Sequence, residues 1–174
     1  PEKAEILTDR YWPGPLTVIL LKSRIVPCET TGGLNTVAIR CPDNRIAQEM
    51  IRRGGGYVAA PSANRSGRPS PTRAEHVLED LGDHIDMILD GGPVRIGLES
   101  TIVDFTEEIP VILRPGYVSL EMLTEVRADA GGLSMIKPSD MITSLNGINV
   151  PSNNTGRPDM MNISFQLDTI PTAL

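Results

Sequence analysis

A chain of 174 residues leaves room for one domain with a sizeable core, or for one domain and a tail. Its 40% apolar and 22% charged residues, with 16 glycines and 15 prolines in no repeating period, exclude collagen-like, low-complexity and coiled-coil classes. The net charge of −6 argues against a broad nucleic-acid-coating surface, no apolar run approaches the ~20 residues of a membrane span, and no secretory leader opens the chain, so a soluble, cytoplasmic protein without membrane contact is expected.

Pro1 has no methionine before it and no capping signal follows, so the chain reads as beginning inside a longer protein. The turn Trp12-Pro13-Gly14-Pro15 leads into a leucine-rich and β-branched strand over 16–22, and the Gly32-Gly33 turn leads into a second over 36–40. Ile46, Met50 and Ile51 share a helical face, which predicts a helix over 45–53 ending at Gly54-Gly55-Gly56. Residues 57–60 read as a short strand ending at Pro61. Thr72 caps a further helix with Glu75 three residues on, and Val77, Leu78, Leu81 and Ile85 form its apolar stripe.

Strands are expected again at 87–89, 101–105 and 111–113, the last two joined by an acidic turn. A helix over 119–126 is capped by Ser119, with Met122, Leu123 and Val126 inward. Intermixed strands and helices define an α/β class, and the hairpin-short link between the last two strands favours a mixed sheet over a parallel one. From Ala128 onward the chain is rich in Ser, Asn, Gly, Pro and Met without period, so a domain over 1–127 and a linker or poorly structured tail over 128–174 are expected.

Charge is uneven along the chain. From Arg40 to Arg73 there are seven arginines, no lysine and only two carboxylates, Asp43 and Glu49. An arginine-only zone in an acidic chain suggests a discrete phosphate or carboxylate, because guanidinium offers a rigid donor fork to such groups. Arg52 and Arg53 read as a solvated helix face, whereas Arg40, Arg65 and Arg68, beside strands and turns, read as anion ligands. The densest polar segment, 59–72, lies between an expected strand end and a helix start, where open α/β sheets form a crevice and free amides. Two further polar groups, Gly97-Leu98-Glu99-Ser100-Thr101 and Arg114-Pro115-Gly116, converge on the same expected sheet edge.

Several familiar sites are excluded. The three lysines, Lys3, Lys22 and Lys137, lie in no Walker motif, and Gly54-Gly55-Gly56 precedes an expected strand where a dinucleotide fingerprint would follow one. His76 and His84 read as solvated, Cys28 and Cys41 as buried or half-buried thiols, and no C-x-x-C or paired histidine suggests a metal. No G-x-S-x-G elbow is present.

Taken together and in order, the segments YWPGPLTVIL, GGLNTVAIRCP, APSANRSGRPSPT, AEHVLEDLG, ILDGGP, GLESTIVD and ILRPG resemble the YrdC-like family of threonylcarbamoyl-AMP synthases, over about 11–126. The resemblance implies a twisted mixed sheet with helices around a deep, partly basic cavity. It implies that L-threonine, bicarbonate and ATP, with Mg²⁺ accompanying the nucleotide, give threonylcarbamoyl-AMP and pyrophosphate for a tRNA modification. Partners would be the downstream tRNA threonylcarbamoyl transferase machinery and, weakly, tRNA. Thr36, Ser62, Ser70 and Arg114 fall where the family contacts ATP, and Arg40, Ala60 and Ser100 where it contacts threonine. Asn64 belongs to the same motif as a cavity-lining residue. No side chain is implied to form a covalent intermediate or to ligate a metal.

Family members open with a P-T-E-T-V-Y-G-L-G-like strand and turn and a K-x-R-like strand, and neither is found here. Asn44 stands where histidine often follows R-x-P, and nothing after Ala128 matches the S-P-G-M-x-Y-x-H-Y-A-P-like signature of the two-domain branch. A partial catalytic domain is expected, with apolar faces at Val18, Ile19 and Leu20 open and self-association as the result. Two other classes compete. A truncated, non-catalytic nucleotide- or RNA-binding relative is disfavoured for RNA by the 3% aromatic content, since base stacking needs exposed rings. A hydrogenase-maturation carbamoyltransferase would need the C-x-x-C pairs of its zinc fingers, which this chain lacks.

Overall fold

The computed structural model describes residues 1–126, together with the backbone of 127–129, 142–143 and 172–173. In chain order the elements are α1 (Glu2–Tyr11), β1 (Leu16–Leu21), β2 (Thr36–Arg40), α2 (Arg45–Arg53), α3 (Ala74–Leu81), β3 (Ile88–Leu89), β4 (Thr101–Asp104), β5 (Val111–Arg114), α4 (Leu120–Asp129), β6 (Ile142–Thr143) and β7 (Thr172–Ala173). Position 127, the expected domain boundary, lies within α4, and the expected tail over 128–174 lies outside the described residues apart from the end of α4 and the two short strands.

The alternation in β1 decides how the sheet faces. Successive side chains of a strand point to opposite sides, so Leu16 and Val18 enter one layer while Thr17 points to the other. The sheet is mixed, in the order β2-β1-β4-β5-β6, with β1 antiparallel to β2 and parallel to β4, and β4 antiparallel to β5. That bears out the α/β class and the mixed sheet read from the hairpin-short link. On the core side Leu16, Val18, Val103 and Ile112 meet Ala4 and Leu7 of α1 and Leu123 and Val126 of α4, with Phe105 and Val118 completing the cluster. Met122 packs on its margin, and Ser119 Oγ accepts from Met122 N at 3.3 Å, the cap expected for α4.

One helix was not read from the sequence, and four expectations change. Helix α1 carries only two buried side chains, so its apolar face is too sparse to stand out in the sequence. Its position is set by tertiary contacts instead, among them the Tyr11 hydroxyl donating to Met122 O at 2.5 Å. Residues 57–60 form no strand: Tyr57 is exposed, and no described strand pairs with this segment. Without a ladder, a β-prone sequence has nothing to satisfy its backbone groups in extended form.

At α3 the cap falls on Arg73, without a side-chain bond. Thr72 stays in the loop because its carbonyl accepts from Val94 N at 3.0 Å and its own N–H donates to His76 Nδ1 at 3.3 Å. The stripe of that helix narrows accordingly, with Val77 buried and Leu78 61% exposed. Val18 is buried in the core rather than open.

Candidate functional site

On the face of the sheet opposite the core, four polar side chains from four segments form one row. Residues level with each other in adjacent strands share a face. Arg40 is opposite Thr17, Thr17 is level with Ile102, and Ile102 is opposite Arg114. Ser100, two residues before Ile102, takes the same side. The row therefore runs Arg40, Thr17, Ser100, Arg114.

A bulge puts Arg114 there. The β4–β5 register shifts between Ile102 and Val103, whose partners are Arg114 and Ile112, so Leu113 is the extra residue. With plain alternation Arg114 would share the core-facing side of Ile112. The inserted residue turns the guanidinium to the polar side and leaves Leu113 exposed.

The contacts within the row are close. Thr17 Oγ1 and Ser100 Oγ lie 2.8 Å apart, both buried. Arg114 donates from Nε and Nη2 to Ser100 O at 3.2 and 3.0 Å, and from Nη2 to Ser100 Oγ at 3.0 Å. Its Nη1 pairs with Glu99 Oε2 at 2.6 Å, and Ser70 Oγ donates to Glu99 Oε1 at 3.1 Å. At the other end Arg40, 8% exposed, donates from Nε to Gly14 O at 3.1 Å, while Gly14 N donates to Cys41 O at 2.8 Å. The Trp12–Pro15 turn thus clasps the end of β2.

Electrostatics follow from this placement. Burial, reinforced by Arg114, pulls the Arg40 pKa down to about 10. Burial also lowers that of Arg114, with Glu99 opposing. Burial raises the Cys41 thiol, with Arg40 opposing. Burial disfavours the charged form of both guanidinium groups, and a carboxylate or phosphate bound beside them would favour it.

The remaining sequence candidates are distributed differently. Ser70 joins the row through Glu99. Thr36 lies on the same face as Arg40 but at the far end of β2, ~13 Å away at the usual rise of a strand. Ala60 and Ser62 are half-buried in the loop before α3. Asn64 braces that loop, its Nδ2 donating to Arg65 O and Arg68 O at 3.0 Å each.

Arg65 and Arg68, read as anion ligands, turn to Asp80. Arg68 Nη1 pairs with Asp80 Oδ1 at 2.6 Å and Arg65 Nε donates to Asp80 O at 2.6 Å. Arg52 and Arg53 both pair with Glu49 on an exposed helix face, as expected. Cys28 is exposed rather than buried, its sulfur accepting from Lys22 Nζ at 3.1 Å.

Sequence reasoning did not single out Thr17, Glu99 or Gly116. Thr17 had a signal, as the one polar residue in L-T-V-I-L-L, and Glu99 stood beside a nominated serine. Gly116 is required by close approach: a Cβ there would lie 2.6 Å from Thr101 N and 2.7 Å from Ser100 C. A cavity of about 180 Å³ is lined among others by Pro13, Gly14, Pro15, Asn44 and the Asp43–Arg95 ion pair. Among the described residues no three or more His, Cys, Asp or Glu side chains gather as a metal site, and no helix is long and apolar enough to cross a membrane.

Fold and site define an α/β domain with a cationic, hydroxyl-bearing sheet face suited to a small carboxylate or phosphate. The chain belongs to the Sua5/YciO/YrdC family, whose model, described as telomere recombination, matches residues 1–116. It is 55% identical over 126 residues to a threonylcarbamoyl-AMP synthase of Pyrococcus abyssi, covering 72% of this chain and 37% of that protein. With a threonylcarbamoyl-AMP synthase of Bacillus subtilis it shares 52% over 127 residues, again 72% and 37%. A crystal structure of P. abyssi Sua5 complexed with L-threonine is similar with a TM-score of 0.71 and 49% identity, covering 82% of this chain and 39% of that one. The chain therefore spans well under half the length of these relatives.

Proposed function

We propose that this chain is part of a threonylcarbamoyl-AMP synthase, making threonylcarbamoyl-AMP and pyrophosphate from L-threonine, bicarbonate and ATP. The observation that carries the reading is the row itself: two guanidinium groups and two hydroxyls on one sheet face, in a chain similar to a Sua5 complexed with L-threonine.

In this reading Arg40 holds the threonine carboxylate, with Ser100 and the small Ala60 beside it. Arg114, Ser70, Ser62 and Thr36 face ATP, and Asn64 shapes the loop they share. The threonine nitrogen attacks the bicarbonate carbon and water leaves, giving a carbamate, whose oxygen then displaces pyrophosphate at the α-phosphorus. Arg114 balances the charge of the departing phosphates, and no residue forms a covalent intermediate.

Glu99, the carboxylate nearest Arg114, is committed to it, so the described residues offer no cage for Mg²⁺. Mg²⁺ would enter on the phosphates of ATP. The product would pass to the tRNA threonylcarbamoyl transferase machinery in the cytoplasm, with at most a weak tRNA contact.

Pyrophosphate release is measured with each substrate omitted in turn, on this chain and on any longer polypeptide that carries it. Release that requires threonine, bicarbonate and ATP together is expected. Release indifferent to threonine, or none from a folded protein that binds ATP, would overturn the proposal.

A further inference from the structure

Glu99 holds an unusual position. One carboxylate oxygen pairs with Arg114 of β5 and the other accepts from Ser70 of the loop before α3, so a single side chain ties together two segments that nothing local would align. Its backbone is fixed: Glu99 O accepts from Tyr117 N at 3.2 Å, and Gly116 abuts the 99–101 main chain. The side chain is itself 43% exposed, so this is no sealed core ion pair.

Arg114 has five N–H groups. Among the described residues three go to Ser100 and one to Glu99, so the guanidinium plane is set by these two neighbours, with one N–H left on Nη1. Burial and then the like charge of Arg114 lower the Arg40 pKa, and at Arg114 the Glu99 carboxylate opposes the effect of burial.

We propose that Glu99 is a positioning residue for nucleotide binding, acting through Arg114 and Ser70. It fixes the plane of the guanidinium, anchors the Ser70 loop to β5, and supplies a negative charge beside the Arg114 cation. The proposal rests on the reading above, in which Ser70 and Arg114 face ATP.

The variants Glu99→Gln and Glu99→Asp separate its functions. Gln retains an acceptor for Ser70 and loses the charge on Arg114, whereas Asp retains the charge. ATP affinity is measured by calorimetry without threonine, and the KM values for ATP and threonine by pyrophosphate release. For Glu99→Gln the ATP dissociation constant and KM are expected to rise about tenfold, as for loss of a charge-assisted hydrogen bond. The threonine KM should stay within twofold, and Glu99→Asp should recover part of the loss.

Unchanged ATP affinity in Glu99→Gln, an equal rise in both KM values, or tighter ATP binding would overturn the proposal, the last by marking Glu99 as a competitor for Arg114. If the parent binds ATP yet releases no threonine-dependent pyrophosphate, the functional reading fails while the calorimetry still decides the role of Glu99. A parent that binds no ATP would overturn both.

Discussion

Thr17 and Ser100, 83 residues apart in the chain, share a buried hydroxyl-to-hydroxyl hydrogen bond of 2.8 Å across β1 and the start of β4. Removing Ser100 strands the Thr17 hydroxyl away from water, and removing Thr17 leaves the Ser100 hydroxyl with Arg114 alone. Thr17→Val and Ser100→Ala should each destabilise the chain by about 1–3 kcal/mol, and the double variant by less than their sum, because it leaves no orphaned hydroxyl. Guanidinium denaturation of the four proteins checks this, and strictly additive losses would argue against a coupled pair.

Gly116→Ala tests how tightly the Arg-Pro-Gly turn is seated. The added methyl would press on the backbone of Ser100 and Thr101, which cannot swing aside as a side chain does. A loss of about 1–3 kcal/mol is expected from such overpacking, with weakened ATP use because the same turn aims Arg114. Thermal unfolding and ATP titration check both effects.

Arg114→Ala should impair ATP use more than threonine binding. Loss of one charge-assisted phosphate contact costs about 1.5–3 kcal/mol, a rise of at least tenfold in the ATP KM. Equal ATP affinity and turnover in variant and parent would sink the assignment.

Arg40→Ala should abolish threonine-dependent pyrophosphate release while nucleotide binding stays measurable, and Arg40→Lys should not restore it. A lysine can neither form a two-pronged carboxylate contact nor donate from an Nε to Gly14 O as Arg40 does. The carboxylates that would have made Arg40 a surface pair are engaged elsewhere, Asp43 with Arg95 and Glu49 with Arg52 and Arg53. Titrating threonine at fixed ATP decides: an unchanged half-saturation and rate in Arg40→Ala would remove it from the site.

Glu49 gives a pH prediction whose sign is fixed by its depressed pKa. Hydrogen bonds from Arg52 and then Arg53 draw its carboxyl down to about 2 from the ordinary 4.5. Its contribution to α2 is therefore present above pH 4.5 and is lost as pH falls through about 2. Glu49→Gln should be slightly less stable than the parent at pH 6, indistinguishable below pH 2, and closer to it in 1 M salt, because the pair is exposed. Denaturation at the two pH values checks this, and a difference that persists in acid would point away from the ion pair.

The sheet and α2 were legible because their signals are local: β-branched and apolar runs entered from the Pro-Gly and Gly-Gly turns for β1 and β2, and glycines where α2 must stop. Helix α1 and the 57–60 segment were not, because each depends on partners far along the chain. Arg40, Ser100 and Arg114 were legible as motif members, yet their alignment was not. That alignment depends on register, including the shift at Ile102 and Val103, and no local pattern encodes a register. Arg65 and Arg68 misled for the converse reason, since Asp80 reaches them only after α3 packs beside their loop.

The extra residue in β5 means that this strand is read in two frames. Up to Ile112 the alternation serves the apolar layer, and from Arg114 it serves the polar one, with Leu113 as the spacer between them. Position 113 is consequently indifferent to chemistry and intolerant of length: exchanging its exposed side chain changes little, whereas deleting it would carry the Arg114 charge into the layer of Val18 and Leu123. Insertions in the 105–110 turn lie outside both frames and leave the row intact. The cation on this sheet is thus specified as much by how many residues precede it as by which residue it is.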